Sequence, residues 1–285
     1  MRISVIISTY DKPHFLERVL WGYAVQSRRD FEVVVADDGS GPETAAVIRR
    51  VQAETGLDLV HVWHEDRGFR KTEILNRAIV AASGDHLLFT DGDCIPRRDL
   101  VDTHHTLTEP ARYLAGGYLK LPEQVSAAIR VDDIVSGRFT KLEWLRSQGW
   151  RPGRRALRLT GSRRLAAVFD ALTPTAAHFH GNNASVARTA LMEVNGFEGE
   201  MGYGGLDRAL GYRLENLGVR GRQIRHRAIC VHLHHDRPYR DPVVVQRNRE
   251  ILQRIQRCGE TRARLGIAEL EPDPTLRITR VGASG

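Results

Sequence analysis

The first third of the chain alternates between two patterns of apolar and polar positions. The short runs centred on consecutive apolar residues, typical of buried strands, are residues 3–8, 31–36, 57–63 and 86–91. The segments in which apolar residues recur every three or four positions, typical of helices, are residues 15–20, 43–54 and 71–82. Strands that alternate with helices over short connections indicate a parallel sheet covered on both faces. We therefore predict an α/β fold whose strand ends share one edge of the sheet.

The rest of the chain carries a weaker pattern. The predicted strands are residues 113–121, 178–186 and 228–233, and the predicted helices are residues 206–217 and an amphipathic helix from residue 243. Residues 123–167 are loosely patterned and rich in arginine, which fits either a mobile loop that folds over a ligand or a solvated basic face. We expect one domain, residues 1–240, with halves 1–120 and 121–240. A helical extension, residues 241–285, should follow and end in a loose tail after residue 272.

Two carboxylates follow the fourth apolar run. Asp91 and Asp93 are one residue apart, and alternate residues of an extended chain share a side. Such carboxylates repel each other unless a cation lies between them, and hard oxygen ligands suit Mg²⁺ or Mn²⁺. A solvated Asp-Gly-Asp turn is the simpler interpretation of these residues alone, so the choice depends on the rest of the chain.

The composition is that of a globular protein, with 41% apolar and 27% charged residues. A net charge of +7 favours anionic partners. We expect no nucleic-acid partner, because the sequence has no zinc-finger spacing, aromatic RNA-binding signature or basic coiled coil. Three scattered cysteines, no signal peptide and no apolar stretch near the roughly 20 residues of a membrane helix predict a cytoplasmic protein.

Residues 39–44 begin like a dinucleotide-binding glycine motif, but the resemblance is incomplete. The third glycine is missing and Pro42 occupies the turn. The preceding carboxylates, Asp37 and Asp38, would repel a pyrophosphate unless a cation intervened. The sequence therefore disfavours a Rossmann dehydrogenase.

Several blocks together resemble one enzyme family. Residues 6–10, 35–40 and 90–93 resemble the opening blocks of family 2 glycosyltransferases with the GT-A fold. Residues 202–214 resemble the acceptor-side motif of the galactosyltransferases, and the whole resemblance covers about residues 3–240. It implies a metal-dependent, inverting glycosyltransferase that moves a sugar from a nucleotide-sugar, UDP-linked in the first instance, to a hydroxyl of a glycan or glycolipid.

The resemblance implies that the first half binds the nucleotide-sugar. The donor-binding residues that it implies are Thr9, Tyr10, Asp37 or Asp38, Arg67, Phe69, Lys71 and Asp91. The Tyr10 ring would stack on the base, and a carboxylate at 37 or 38 would accept a hydrogen bond from uracil. Cations at the start of the helix predicted from residue 71 oppose the helix dipole, and a diphosphate would explain them. A solvated basic loop is the alternative.

The metal site implied by the resemblance combines Asp93 with a histidine after the last strand, and the ion would be Mn²⁺ or Mg²⁺. In the galactosyltransferase group a ligand pair spaced i, i+3 ends in His, which matches His232 and His235. Alternation along a strand would instead place His232 and His234 on one side. We favour His235, then His232, as the further ligand.

Asp207 matches the general base of the family. It would remove the proton of the acceptor hydroxyl while C1 of the sugar is attacked from the opposite face, which inverts that centre. A simple N-cap role is the alternative. The expected acceptor-binding residues are Asn182, Asn183, Tyr203, Gly204, Gly205 and Leu206. Leu206 replaces the usual Glu of the family, so acceptor recognition should differ here.

Two other functions compete with this interpretation. A sugar nucleotidyltransferase would need a glycine-rich basic loop after the first strand, which residues 8–11 lack. A catalytically impaired sugar-nucleotide-binding or carbohydrate-binding subunit would explain the absence of the Glu at position 206. The basic segment within 123–167 and the stretch 247–264 would also allow peripheral docking at the inner face of an anionic cell membrane, close to a lipid-linked acceptor.

Overall fold

Two sheets form the centre of the molecule in the computed structural model, which describes residues 1–236 and 241–282. The strands are β1 Ile3–Thr9, β2 Phe31–Asp37, β3 Leu59–Trp63, β4 His86–Asp91, β5 Cys94–Pro96, β6 Arg112–Ala115, β7 Gly117–Lys120, β8 Ala184–Ala187, β9 Arg220–Gln223, β10 Ile229–His232 and β11 Arg277–Val281. The larger sheet has the order β11-β3-β2-β1-β4-β8-β6-β9, and the smaller one has the order β5-β10-β7.

Helices cover the larger sheet on both faces. The α-helices are α1 Pro13–Ala24, α2 Pro42–Thr55, α3 Lys71–Ala81, α4 Leu100–Leu107, α5 Glu123–Ala128, α6 Val131–Val135, α7 Leu142–Ser147, α8 Arg163–Leu172, α9 Arg188–Glu193, α10 Leu206–Asn216 and α11 Pro242–Cys258. Short 3₁₀ segments span Arg138–Thr140 and Arg154–Leu159. Among the described residues, no helix combines the length and the apolar character that crossing a bilayer requires.

The first four strands form a parallel core in matched register. Ser8 of β1 lies opposite Asp91 of β4, and Thr9 lies opposite Asp37 of β2. Successive strand side chains point to opposite faces, so Val5 and Ile7 pack beneath α1 and α2, whereas Ile6 packs against the α3 side. Both faces are therefore buried, and the α/β architecture with a parallel sheet that the alternating pattern predicted is confirmed.

The second half departs from the sequence prediction in two strands. The strand expected over 113–121 is split between the two sheets at Gly116 and Gly117. A Cβ on Gly116 would collide with the Asn183 side chain, and one on Gly117 with the Arg225 carbonyl, so the close backbone approach expected of these glycines is confirmed. The strand expected over 178–186 is limited to Ala184–Ala187.

The loose tail expected after residue 272 is wrong for the described residues. Strand β11 pairs antiparallel with β3 and forms one edge of the larger sheet. The Arg277 guanidinium lies over the Trp63 ring, 5.2 Å from its centre, and the Thr275 hydroxyl accepts a hydrogen bond from the Glu65 backbone at 3.1 Å. This segment is polar because it forms an exposed edge strand, and not because it is detached from the sheet.

A buried chain of hydrogen bonds crosses from β4 to β8. The Asn183 amide donates to the carbonyls of Gly117 and Ala228, so its oxygen accepts from His104 Nε2 at 2.9 Å. His104 Nδ1 then accepts from the Ser185 hydroxyl at 2.8 Å, and that hydroxyl accepts from His86 Nε2 at 2.9 Å. In this arrangement His104 is neutral, because its Nδ1 accepts a hydrogen bond, and His86 donates through Nε2.

Burial of these two histidines makes the stability of the protein depend on pH. Burial lowers the pKa of His86 to about 3 and that of His104 to about 4. The unfolded chain, with a histidine pKa near 6.5, then binds more protons than the folded one below that pH. Their contribution is complete above pH 6.5 and is lost as the pH falls toward 4.

We expect His86→Gln to flatten this dependence, because glutamine keeps a donor for Ser185 but does not titrate. Urea unfolding of both proteins between pH 6.5 and 4.5 measures the effect. The free energy of unfolding of the variant should fall less steeply, by about 1.4 kcal/mol per pH unit. Equal slopes for the two proteins would contradict the neutral, buried state of His86.

Candidate functional site

A cavity of about 700 Å³ opens at the carboxyl ends of β1, β2 and β4. Parallel strands in matched register bring their ends to one edge, and this is where ligands bind in open α/β sheets. The predicted site residues that line it are Thr9, Tyr10, Asp38, Phe69, Lys71, Asp91, Asp93, Asn182, Tyr203, Gly204, Gly205, Leu206, Asp207, His232 and His235. Residues far apart in the sequence therefore share one cleft.

Three predicted site residues lie outside this cavity. Asp37 is buried and accepts hydrogen bonds from the Ser40 backbone and from His61, both within 2.9 Å. Arg67 is exposed and pairs with Glu65 at 3.0 Å. Asn183 belongs to the buried hydrogen-bond chain between β4 and β8. Each of these polar groups has a structural partner, a feature that the sequence motifs do not reveal.

Asp38 faces the cavity from the turn after β2. Its carboxylate accepts hydrogen bonds from His64 Nε2 at 2.8 Å and from the Arg70 backbone at 3.1 Å. Burial raises the pKa of Asp38, while the His64 contact opposes that shift. Gly39 has a φ of 95°, and a Cβ there would lie 2.6 Å from the Asp66 backbone. The turn therefore requires glycine, and it fixes Asp38 against the loop before α3.

Asp91 is paired with a cation at the base of the cleft. Lys71 Nζ lies 2.8 Å from Asp91 Oδ1, and the Ser8 hydroxyl donates to the same oxygen at 2.9 Å. Burial alone would lower the pKa of Lys71, but the carboxylates of Asp91, Asp207 and Asp93 together raise it. Lys71 therefore stays charged and partly neutralises three carboxylates that converge here.

Asp93 faces two histidines from the end of β10. The Nδ1 atoms of His235 and His232 lie 2.8 Å and 2.7 Å from the carbonyls of Asp236 and Leu233, so each Nδ1–H donates there. In a neutral ring Nε2 then carries a lone pair. His235 Nε2 lies 2.9 Å from one Asp93 oxygen, and His232 Nε2 lies 3.9 Å from the other.

Two acceptors so close repel each other unless a proton or a cation separates them. A carboxylate and two imidazole nitrogens are ligands that Mn²⁺ accepts, and a backbone contact at the other ring nitrogen is usual for metal-binding histidines. These residues therefore fit a divalent metal ion. His234 does not line the cavity; its backbone donates to the Ser126 hydroxyl at 2.9 Å.

Asp207 occupies the first turn of α10, on the other wall of the cleft. Gly204 and Gly205, which precede the helix, both have positive φ values, 106° and 85°. A Cβ on Gly181 would lie 2.6 Å from Asp207 Oδ1, so this close approach also needs glycine. Burial raises the pKa of Asp207, whereas the Lys71 charge lowers it. A carboxylate with a raised pKa in a cleft is a candidate proton acceptor.

The glycine turn before α10 is held by a residue that sequence reasoning missed. The Asn248 amide on α11 donates to the carbonyls of Gly202, Tyr203 and Gly204 at 3.0, 3.2 and 2.6 Å. Asn248 shares the buried face of α11 with Ile251. Asn248 is a polar residue within the apolar stripe of an amphipathic helix, and this pattern in the sequence could have indicated a buried hydrogen-bonding role.

Aromatic rings line the mouth of the cleft. The Phe69 and Tyr203 rings meet edge to face with centres 6.0 Å apart, and Phe69 is 44% exposed. Tyr10 is 41% exposed, and its hydroxyl donates to Asp66 at 2.9 Å. Exposed ring faces in a cleft suit flat ligands such as bases and sugar rings. Further lining residues that the sequence did not single out are Lys12, Phe15, Tyr118, His180 and Val244.

Two buried polar atoms in the cleft lack a hydrogen-bond partner among the described residues. They are Thr9 Oγ1 and Asn182 Oδ1. A buried acceptor or donor without a partner costs about 1–3 kcal/mol, so such atoms are expected where a ligand supplies the partner. Both residues lie on the cavity wall and were predicted to be part of the site.

Comparison with known proteins identifies the family. Residues 4–104 match the family model of glycosyl transferase family 2. The chain is 30% identical over 226 residues to validoxylamine A glucosyltransferase from Streptomyces hygroscopicus subsp. jinggangensis, covering 76% of this chain and 52% of the relative. It is 27% identical over 238 residues to chondroitin synthase from Escherichia coli, covering 78% of this chain and 33% of that enzyme. The chain thus spans about half or less of the length of these relatives.

Solved structures show the same fold. A mannosyltransferase from Pyrobaculum calidifontis in complex with GDP-Man and Mn²⁺ has a TM-score of 0.55 and 24% identity, over 84% of this chain and 58% of that one. TarS 1–349 of S. aureus in complex with UDP-GlcNAc has a TM-score of 0.61 and 16% identity, over 95% of this chain and 69% of that one. These two neighbours bind different nucleotides, so the fold alone does not determine the base.

Proposed function

Because the chain belongs to glycosyl transferase family 2, we propose that it transfers a sugar from a nucleotide-sugar, UDP-linked in the first instance, to a hydroxyl of a glycan or glycolipid. The observation that carries this proposal is that three groups line one cleft. These groups are Asp93 with its two histidines, the Lys71–Asp91 pair, and Asp207. A group that fits a metal ion, a partly buried cation and a candidate base are components suited to metal-assisted glycosyl transfer.

The donor would lie along the first half of the cleft. Tyr10 would offer its ring to the base, and Asp38 would accept a hydrogen bond from it, since Asp37 faces elsewhere. Asp93, His235 and His232 would hold Mn²⁺ or Mg²⁺, which would neutralise the charge on the departing nucleoside diphosphate. Lys71 would add a positive charge beside the same phosphates, and Thr9 Oγ1 would gain a partner.

The acceptor would approach from the second half of the cleft. Asp207 would take the proton of the attacking hydroxyl, and attack on the face opposite the leaving group would invert C1. Tyr203 and Asn182 would contact a sugar ring, and Gly204, Gly205 and Leu206 would form the floor beside Asp207. Leu206 is 6% exposed, so it offers an apolar surface where the family usually has a carboxylate.

The alternatives are less well supported. A sugar nucleotidyltransferase does not agree with the family match, and its basic glycine loop is absent after β1. A binding subunit without activity would not need a partly buried carboxylate at position 207 that is held close to Lys71. The comparisons with named transferases favour an enzyme.

We expect Asp207→Asn to abolish turnover without abolishing donor binding. The test measures UDP release from a panel of UDP-sugars in Mn²⁺, with water as the default acceptor, and UDP affinity by calorimetry. Loss of a general base should lower turnover by about 10²–10⁴-fold, while UDP affinity should change less than about threefold. Asp132→Asn is the matched control, because Asp132 is also a first-turn helix carboxylate but is exposed and outside the cleft.

Turnover that survives in Asp207→Asn would contradict the assigned base. No UDP release by the wild-type protein from any donor, together with intact UDP binding, would support the binding-subunit alternative instead. Pyrophosphate release from a nucleoside triphosphate and a sugar phosphate would identify a nucleotidyltransferase.

We also propose a cytoplasmic location with peripheral contact at an anionic membrane. Leu165, Val168 and Leu172 form one stripe of α8 and are 52%, 49% and 74% exposed. The neighbouring Arg164 and Arg155 are exposed as well. An apolar stripe flanked by arginines is typical of helices that lie in a membrane interface.

Flotation with phosphatidylglycerol vesicles at low salt tests this contact. We expect binding that weakens in Leu172→Ser and at high salt, and none to phosphatidylcholine vesicles. Ile278→Ser, which removes from β11 an apolar residue that is 53% exposed, should bind like the wild type. Absence of binding at low salt would remove the proposed contact.

A further inference from the structure

A group of arginines without carboxylate partners borders the cleft. Arg158 and Arg225 are half-buried and Arg155 and Arg208 are exposed, and none of the four forms a salt bridge with any residue that the structure describes. Several other half-buried or buried arginines do form one. Asp170, whose charge acts on Arg225, is already occupied by other residues. Its oxygens lie 2.7 Å from Arg227 Nε and 3.0 Å from His226 Nδ1. These four residues are called the arginine cluster below.

Backbone contacts place the arginine cluster at the cleft wall. Arg158 Nη1 donates to the Tyr118 carbonyl at 2.7 Å, and Tyr118 lines the cavity. The Arg225 carbonyl packs against Gly117, the residue before Tyr118. Arg208 follows Asp207 directly on α10. Arg208 and Arg225 therefore lie near His180 and the wall that carries the proposed base, whereas Arg158 contacts Tyr118, whose ring centre is 6.0 Å from that of His232.

The charges of the cluster are close enough to repel one another. Arg225 Nε is buried and has no hydrogen-bond partner among the described residues. Burial lowers the pKa of Arg158, and the positive charges of Arg225 and Arg155 lower it further. Burial also lowers the pKa of His180 on the cavity wall, with His178, Arg225 and Arg208 contributing. Burial and mutual repulsion both disfavour the charged form of these side chains. An anionic ligand bound between them would offset both effects.

The donor diphosphate is not the best candidate for that ligand. The donor phosphates already have Lys71 and the proposed metal ligands, Asp93 and His235, as positively charged or metal-binding partners. His180 lies beside Gly181, whose backbone N–H bonds the Asp207 carboxylate. The unpaired arginines are therefore adjacent to the group that would contact the acceptor hydroxyl.

We infer that Arg158, Arg208 and Arg225 bind a phosphate or carboxylate group carried by the acceptor. Guanidinium groups suit both anions, since their planar donors can form two parallel hydrogen bonds with either. This inference rests on the proposed function and deepens it, because it names an anionic glycan or sugar phosphate as the acceptor class. It also offers a reason for Leu206, since a carboxylate there would repel such an acceptor.

The test compares glucose 6-phosphate with glucose as probes, in calorimetry of the full chain with saturating UDP and Mn²⁺. The wild type should bind the phosphate probe at least tenfold more tightly than the neutral sugar. Arg158→Gln and Arg225→Gln should each remove most of that preference and leave UDP affinity within about threefold. Arg225→Lys should restore part of it, and Arg164→Gln on exposed α8 is the matched control for lost charge.

The outcomes separate this inference from the proposed function. Equal binding of glucose and glucose 6-phosphate, or an equal effect of Arg164→Gln, would overturn the anionic acceptor site. A parallel loss of UDP affinity in the Arg158 and Arg225 variants would assign the cluster to the donor diphosphate. Binding of phosphatidylglycerol vesicles through these arginines without binding of the soluble probe would assign it to a membrane surface. Failure of the wild type to bind either UDP or GDP would count against the proposed function, whatever its preference between the two sugar probes.

Discussion

Repulsion among three carboxylates is the constraint on which the cleft depends. Asp91, Asp93 and Asp207 come from different parts of the chain and share one partly buried cavity. Like charges in such a place raise one another's pKa unless cations lie between them. Lys71 supplies one cation. The Nε2 lone pair of His235 faces Asp93, and a metal ion bound by both groups would supply a second positive charge. A divalent ion bound at this position, as we propose, would complete the charge balance of the cleft.

The fold sets this arrangement through strand register. Matched parallel pairing of β1 with β2 and β4 brings Thr9 and Asp91 to the same edge. The carboxyl-terminal segments then fix the loops around that edge. Asn248 on α11 holds the glycine turn before Asp207, and Asp273 pairs with Arg70 at 3.0 Å beside α3. Helix α11 and the segment that leads into β11 therefore position the cleft as well as extending the chain.

The sequence predicted the parts of the structure that local patterns encode. Apolar runs and helical periods identified β1 to β4 and α1 to α3 within a few residues, because these elements are buried on fixed faces. The pairing of Asp93 with a histidine after β10 followed from family motifs, and the geometry places both His232 and His235 beside it. Whether these residues bind a metal remains a prediction.

Long-range contacts account for what the sequence did not reveal. Nothing local distinguishes Asn182, on the cleft wall, from Asn183, which points into a buried hydrogen-bond chain. Both lie in the turn before β8, and only contacts with distant residues such as His104 separate their roles. Strand β11 is polar and short, and its pairing with β3 spans more than 200 residues of sequence. The arginine cluster likewise joins a 3₁₀ segment, α10 and the loop after β9, which no sequence window contains.

The most direct test of the account is calorimetric titration of UDP, and then GDP, with and without Mn²⁺. The account predicts that UDP binds only in the presence of the metal, and that His235→Ala weakens this binding at least tenfold. His234→Ala, which alters a neighbouring histidine outside the cavity, should bind like the wild type. Metal-dependent binding of GDP instead of UDP would support the assigned nucleotide site but indicate a GDP-linked donor sugar. No metal-dependent binding of either nucleotide would contradict the central claim that the carboxylates of this cleft hold a nucleotide-sugar through a divalent ion.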